Sequence, residues 1–236
     1  MLPMSNDRLS RRHFMLAGVG VLIGGCATQN QGLAKLPGPP WPRIKPALSP
    51  IIRTPSVPVI TPSFEVPAAQ LHALGRDQWA RGRPLRNRLN AMHVIKRITV
   101  HHEGWTRVPF DDFKSTAARL ESIRNAHLGR GFGDIGYHYI IDRKGRLWQG
   151  RDMRYQGAHV RDHNEHNLGV MVLGNFNRQS PTDEQYQTLR RTLVHFMKKN
   201  RVARAEVHTH QELGPTSCPG HVLQAHMVEL RRGRLG

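Results

Sequence analysis

The chain has 236 residues, enough for one ordinary domain with extensions but not for two. Its two cysteines exclude a disulfide-stapled scaffold. A formal charge of +18 attracts polyanions, whether nucleic acid, anionic lipid headgroups or acidic wall polymers, without choosing among them.

Taken in chain order, the first thirty residues address the compartment. Ser10-Arg11-Arg12-His13-Phe14-Met15 is a twin-arginine export signature, followed by a short apolar run from Leu16 to Ile23. That run is far short of the roughly 20 residues that span a bilayer, so it reads as a signal rather than a membrane helix. Leu22-Ile23-Gly24-Gly25-Cys26 resembles the bacterial lipobox. Residues 1–25 are therefore expected to be a twin-arginine/lipoprotein signal peptide, with Cys26 as the lipidated residue and the membrane anchor. The expected location is the cell envelope: the periplasm, with an anchor compatible with the outer membrane because Ala27 is not an inner-membrane retention aspartate. A lipidated Cys26 leaves Cys218 as the remaining thiol of an oxidising compartment, where a metal-bound thiolate is protected and a free one is not.

Most prolines fall between Pro37 and Pro67. With no sustained apolar period, residues 26–70 read as the lipidated cysteine and a proline-rich linker, an extended tether of polyproline II character. The folded domain is expected over 71–236. Ile95 to Val100 reads as a strand leading into His101 and His102. Asp112 to Leu128 reads as a helix, and Tyr137 to Ile141 as a strand joined through Arg143-Lys144-Gly145 to Arg146-Leu147-Trp148 as a hairpin. Leu168 to Leu173 is apolar nearly throughout, as for a strand buried on both faces. Thr182-Asp-Glu-Gln185 opens a second helix with a capping sequence. A strand over Ala205 to His210 and a closing helix over Val222 to Leu230 follow. Strands alternating with helices, plus one hairpin, predict an α/β domain: a single central mixed β-sheet flanked by helices.

The chemistry concentrates at His210-Gln-Glu-Leu-Gly-Pro-Thr-Ser-Cys218-Pro-Gly. A reversing loop of this length can bring an imidazole and a thiolate to one metal ion. The histidine pair after Val100 is the candidate third ligand, and strand alternation alone leaves His101 and His102 open. A His-His-Cys set with a vacant fourth position is the catalytic rather than the structural zinc pattern.

With these segments in view, residues from about 94 to 224 resemble the zinc-dependent N-acetylmuramoyl-L-alanine amidases of the phage-lysozyme and peptidoglycan-recognition-protein type. The resemblance rests on Thr99-Val-His101-His102, Asp134-Ile-Gly-Tyr137-His-Tyr-Ile-Ile, Gly150-Arg151-Asp152, Gly157-Ala-His159, Asn167-Leu-Gly-Val, and His210 through Pro215-Thr-Ser-Cys218-Pro-Gly. It implies that His101, His210 and Cys218 hold Zn2+, and that Tyr137 and Thr216 act on the water or the developing oxyanion. It further implies that His159 and Asn167 lie on the substrate side. The implied reaction is hydrolysis of the amide between N-acetylmuramic acid and L-alanine in peptidoglycan or muropeptides. Glu103 beside the histidine pair tempts as a general base, but the family keeps no carboxylate there. The rival reading is an inactive peptidoglycan-binding module. Nucleic acid is not an expected partner, since export opposes it and no aromatic–basic stacking motif is present. The expected state is a monomer.

Overall fold

The computed structural model describes residues 71–105, 107–109 and 111–234. The export signature, Cys26 and the proline-rich stretch lie outside these residues. Five strands form one mixed sheet: β1 (Arg97–His102), β2 (Tyr139–Ile141), β3 (Leu147–Gln149), β4 (Asn167–Val172) and β5 (Val207–Thr209), in the order β3-β2-β4-β1-β5. Only the β2–β3 hairpin is antiparallel. Its turn is closed by Asp142, whose Oδ1 accepts from the backbone N–H groups of Lys144 and Arg146, with Gly145 at φ +70°.

The three main helices are α1 (Phe113–Gly129), α2 (Asp183–Asn200) and α3 (His221–Glu229). The first two start where the sequence signals a cap. Asp112 accepts from the Ser115 N–H at 2.8 Å, and Thr182 and Gln185 satisfy each other's backbone N–H in a capping box. The connection β1-α1-β2 runs toward one edge of the sheet, and β4-α2-β5 runs toward the other. Right-handed crossovers in opposite directions must lie on opposite faces. Accordingly Leu168, Val170 and Val172 of β4 pack with Leu189, Leu193 and Phe196 of α2 and Leu223 and Met227 of α3. Met171 and Leu173 instead pack with Leu120 and Ile123 of α1. This two-sided cover explains why every residue of β4 is buried. Among the described residues, no helix is long and apolar enough to cross a membrane.

Residues near the start of the described chain are integral to the domain. Leu74 bridges to Trp148 in parallel fashion, which covers the exposed edge of β3. Arg76 grips Asp134 with two bonds of 3.0 and 2.8 Å, and Arg124 of α1 reaches the same carboxylate at 2.9 Å. Asp134 is fully buried and the Arg124 side chain is 5% exposed. Removing one partner of such a pair strands buried charge. Asp134→Ala is therefore expected to lower stability by about 3–5 kcal/mol in urea unfolding. A loss below about 1 kcal/mol would place the pair among the surface ion pairs that contribute little.

Two element boundaries differ from the sequence expectation. The first strand begins at Arg97 and continues through both histidines, because β1 pairs with β4 as far as His102 and Val172. The stretch Ala205–His210 is not one strand. β5 covers Val207–Thr209 and is flanked by 3-10 turns at Arg204–Glu206 and His210–Glu212. Glu212 accepts from the Thr209 N–H at 2.8 Å and turns the chain there. His210 thus shares no strand face with His208.

Candidate functional site

Alternation along β1 sends Thr99 and His101 to the α1 side of the sheet and His102 to the other. His101 is fully buried and meets His210 and Cys218, which are 3% and 1% exposed. The ligand-capable atoms of these three residues all lie within 4.8 Å of one another. His101 Nδ1 is 3.6 Å from Cys218 Sγ. Nitrogen and sulfur donors bound tetrahedrally at about 2.0 and 2.3 Å would be about 3.5 Å apart, so this edge fits one ion with almost no rearrangement. His102 turns away: its Nδ1 accepts from the Phe176 N–H at 3.2 Å.

The loop that returns Cys218 is held by its own backbone. Gln211 N–H donates to the Cys218 carbonyl at 2.8 Å, and Cys218 N–H donates to Thr216 Oγ1 at 3.2 Å. A hydroxyl used as an acceptor keeps its own proton to give elsewhere, so half-buried Thr216 remains a donor. The His102 N–H points at Cys218 Sγ at 3.4 Å. Burial pushes the Cys218 thiol up to about 12, an effect that the His102 N–H opposes. Burial pushes His210 down to about 4. His101 is held well below its ordinary range by burial first, then by His210, His159 and His102. All three groups therefore rest neutral near pH 7, and only a cation can draw out the thiolate. Two neutral imidazoles and one ionisable thiol, buried and convergent, form a donor set that could hold a metal ion.

Two further groups stand beside the cluster. The ring of Tyr137, 4% exposed, lies 5.2 Å from that of His101. Burial, Cys218 and Glu103 all push its pKa upward, so the phenol keeps its proton and is able to donate it in a hydrogen bond. The Glu103 side chain is 4% exposed and paired through Oε1 with Arg119 of α1. Burial raises its pKa, although Arg119 pulls the other way. Its Oε2 has no hydrogen-bond partner within the described protein.

The two residues expected on the substrate side are both buried, and their polar atoms bond within the protein. Asn167 is fully buried; its Oδ1 accepts from Thr99 Oγ1 at 2.9 Å and its Nδ2 donates to the His163 carbonyl at 2.7 Å. Its side chain is spent on fixing the start of β4, and nothing of it faces solvent. His159 is also fully buried, with Nδ1 3.0 Å from His101 Nε2 and Nε2 3.2 Å from the Asn167 carbonyl. It stands behind His101 rather than in an open cleft. Sequence reasoning also misses Arg119. The available signal is Glu103 itself, a carboxylate next to a buried strand end that demands a cationic partner.

Comparison with known proteins agrees with this architecture. The family described as N-acetylmuramoyl-L-alanine amidase (Amidase_2) matches residues 91–221, more than half of the chain. The N-acetylmuramoyl-L-alanine amidase of Homo sapiens is 32% identical over 152 residues, covering 63% of this chain and 26% of that protein. The chain thus spans about a quarter of that relative's length. The endolysin of Escherichia phage T7 is 33% identical over 110 residues, covering 44% of this chain and 72% of the endolysin. Among solved structures, peptidoglycan recognition protein-LE in complex with tracheal cytotoxin, a monomeric diaminopimelic acid-type peptidoglycan, superposes with a TM-score of 0.58. It is 20% identical, and the match covers 65% of this chain and 92% of that one, a likeness of fold. On the family match and the endolysin relationship together, the chain belongs to the type 2 N-acetylmuramoyl-L-alanine amidase family.

Proposed function

We propose that the chain is a zinc-dependent peptidoglycan amidase that cuts the bond between N-acetylmuramic acid and the L-alanine of the stem peptide. The observation that carries this reading is the convergence of His101, His210 and Cys218 next to the ring of Tyr137. A recognition module would need the fold but not the ligand triad. His101, His210 and Cys218 would hold the ion, and a set of two imidazole nitrogens and one thiolate sulfur suits zinc in hydrolytic sites with a vacant fourth position. Bound zinc supplies Lewis acidity, lowering the pKa of a water toward about 7 and polarising the scissile carbonyl.

The chain's own groups do the rest. Tyr137 keeps its proton at neutral pH and donates a hydrogen bond to the oxyanion that develops on the lactyl carbonyl. Thr216, fixed two residues before Cys218, offers a second hydroxyl proton to the same oxygen. Tyr137 and the three ligands are buried, so these dipoles act in a medium of low polarity where each counts for more than in water. Water adds to the carbonyl, the C–N bond breaks, and the stem peptide leaves as an amine carrying the proton that the water gives up.

The substrate reading draws on the endolysin and amidase relatives and on the muropeptide bound by a structural neighbour. Export by the twin-arginine route, lipidation at Cys26 and a proline-rich tether would place the domain in the periplasm within reach of the wall. Zinc content and hydrolysis measured on one sample test the proposal against a pure binder. The expected result is about one zinc per chain, together with turnover of muropeptides. Retention on sacculi without any release of stem peptide would contradict it.

A further inference from the structure

We infer that His159 is a positioning residue that fixes the tautomer and the orientation of His101, so that His101 presents a bare Nδ1 to the metal. This rests on the metal reading above and adds to it a residue that touches neither ion nor substrate.

His159 Nε2 lies 3.2 Å from the Asn167 carbonyl oxygen, which can only accept, so Nε2 carries the ring proton. A neutral imidazole has one such proton, which leaves His159 Nδ1 as an acceptor. Its partner at 3.0 Å is His101 Nε2, which must therefore be the donor. His101 Nδ1 then has a lone pair and no proton. That atom is the one facing Cys218 Sγ at 3.6 Å. The opposite tautomer would put two lone pairs face to face and a proton inside the cluster. Metal-bound histidines commonly have their second nitrogen committed in this way, and a carbonyl-anchored imidazole here does what a carboxylate does elsewhere.

The surroundings are built for this ring. A Cβ added at Gly157 would lie 2.2 Å from His159 Cδ2, and one at Gly169 would lie 2.5 Å from the same atom. Glycine at both positions opens the slot that the imidazole fills. Asn164 Oδ1 accepts from the backbone N–H of His159 at 2.8 Å and of Val160 at 2.9 Å, pinning the segment. Thr99 and His163 pin Asn167, so the carbonyl at the end of the chain of bonds is fixed too. The Asn167 of the sequence motif thus serves the site through its backbone oxygen.

The test uses the full chain, metal-free, with 15N-labelled histidine. The expected spectrum of the wild type shows His101 protonated at Nε2 and bare at Nδ1. Zinc competition against a chelator should then give a Kd raised by about 10- to 100-fold in His159→Ala. His159→Gln, whose amide can both accept and donate, should recover part of that loss. A wild-type His101 protonated at Nδ1 would overturn the inference even if no variant folds. So would zinc binding by His159→Ala at wild-type strength. A wild type that takes up no zinc at all would instead overturn the metal assignment.

Discussion

Cys218→Ser is expected to lower release of stem peptides from muropeptides by a factor on the order of a thousand or more, with the fold retained. On the proposed zinc reading the ion would stabilise the transition state by several kcal/mol, and each 1.4 kcal/mol or so is tenfold in rate. A serine hydroxyl at this site does not ionise to replace the thiolate. Near-isosteric replacement leaves the rest of the loop intact, because Gln211 bonds the Cys218 carbonyl and Thr216 bonds its N–H, both through backbone atoms of residue 218. Zinc content should fall with activity, while the unfolding midpoint of the metal-free chain stays close to that of the wild type. A control lies one residue from a ligand. His102→Gln should keep zinc, since that ring points to Phe176 and away from the cluster. Full hydrolysis by Cys218→Ser would exclude the thiolate from the mechanism.

The second large effect is loss of stability in mild acid. His127 is held at about 3, chiefly by burial and further by Arg130 and Arg151. His138 is held at about 4, again chiefly by burial. Both use Nδ1 to accept a backbone N–H, from Gly136 and from Gly169, each at 2.9 Å. Protonation would remove those acceptors. The unfolded chain binds protons at both rings as pH falls through about 6.5, whereas the folded chain does not until about 3–4. Their contribution is thus fully present above about 6.5 and is lost as pH falls toward the folded values. At about 1.4 kcal/mol per pH unit for each ring, the loss between pH 7 and 4.5 is roughly 5 kcal/mol. That is comparable to the whole stability of many domains, about 5–15 kcal/mol. Urea unfolding of the metal-free chain at the two pH values should show at least this loss, since burial holds His101 and His210 low as well. Stability unchanged across this interval would mean that both rings titrate normally in the fold.

How much of this is legible in the sequence varies with the range of the determining interaction. The capping pattern Thr182–Gln185 and the nearly continuous apolar run from Leu168 to Leu173 are local, and the helix and the doubly buried strand lie where those signals put them, within a residue at each end of the strand. The triad requires convergence of segments more than a hundred residues apart. The sequence can place His210 and Cys218 on one loop, but alternation alone leaves His101 and His102 open. Only the register of β1 against β4 and β5 decides which ring faces Cys218. The strand expected to reach His210 stops short because Glu212 turns the chain at Thr209, a side-chain-to-backbone bond with no periodic signature. Motif position puts His159 and Asn167 on the substrate side because it says that a residue matters without saying where its polar atoms go. In three dimensions both side chains are buried, His159 with Nδ1 against His101 Nε2 and Nε2 against the Asn167 carbonyl.

Mass spectrometry of products from defined muropeptides, with zinc supplied or chelated, decides whether the chain is a zinc-dependent amidase. The expected products are stem peptides with a free L-alanine amine and intact N-acetylmuramic acid when zinc is present. Chelation should stop their release, and added zinc should restore it. Release at the same rate after chelation, or cleavage at any other bond, would contradict it.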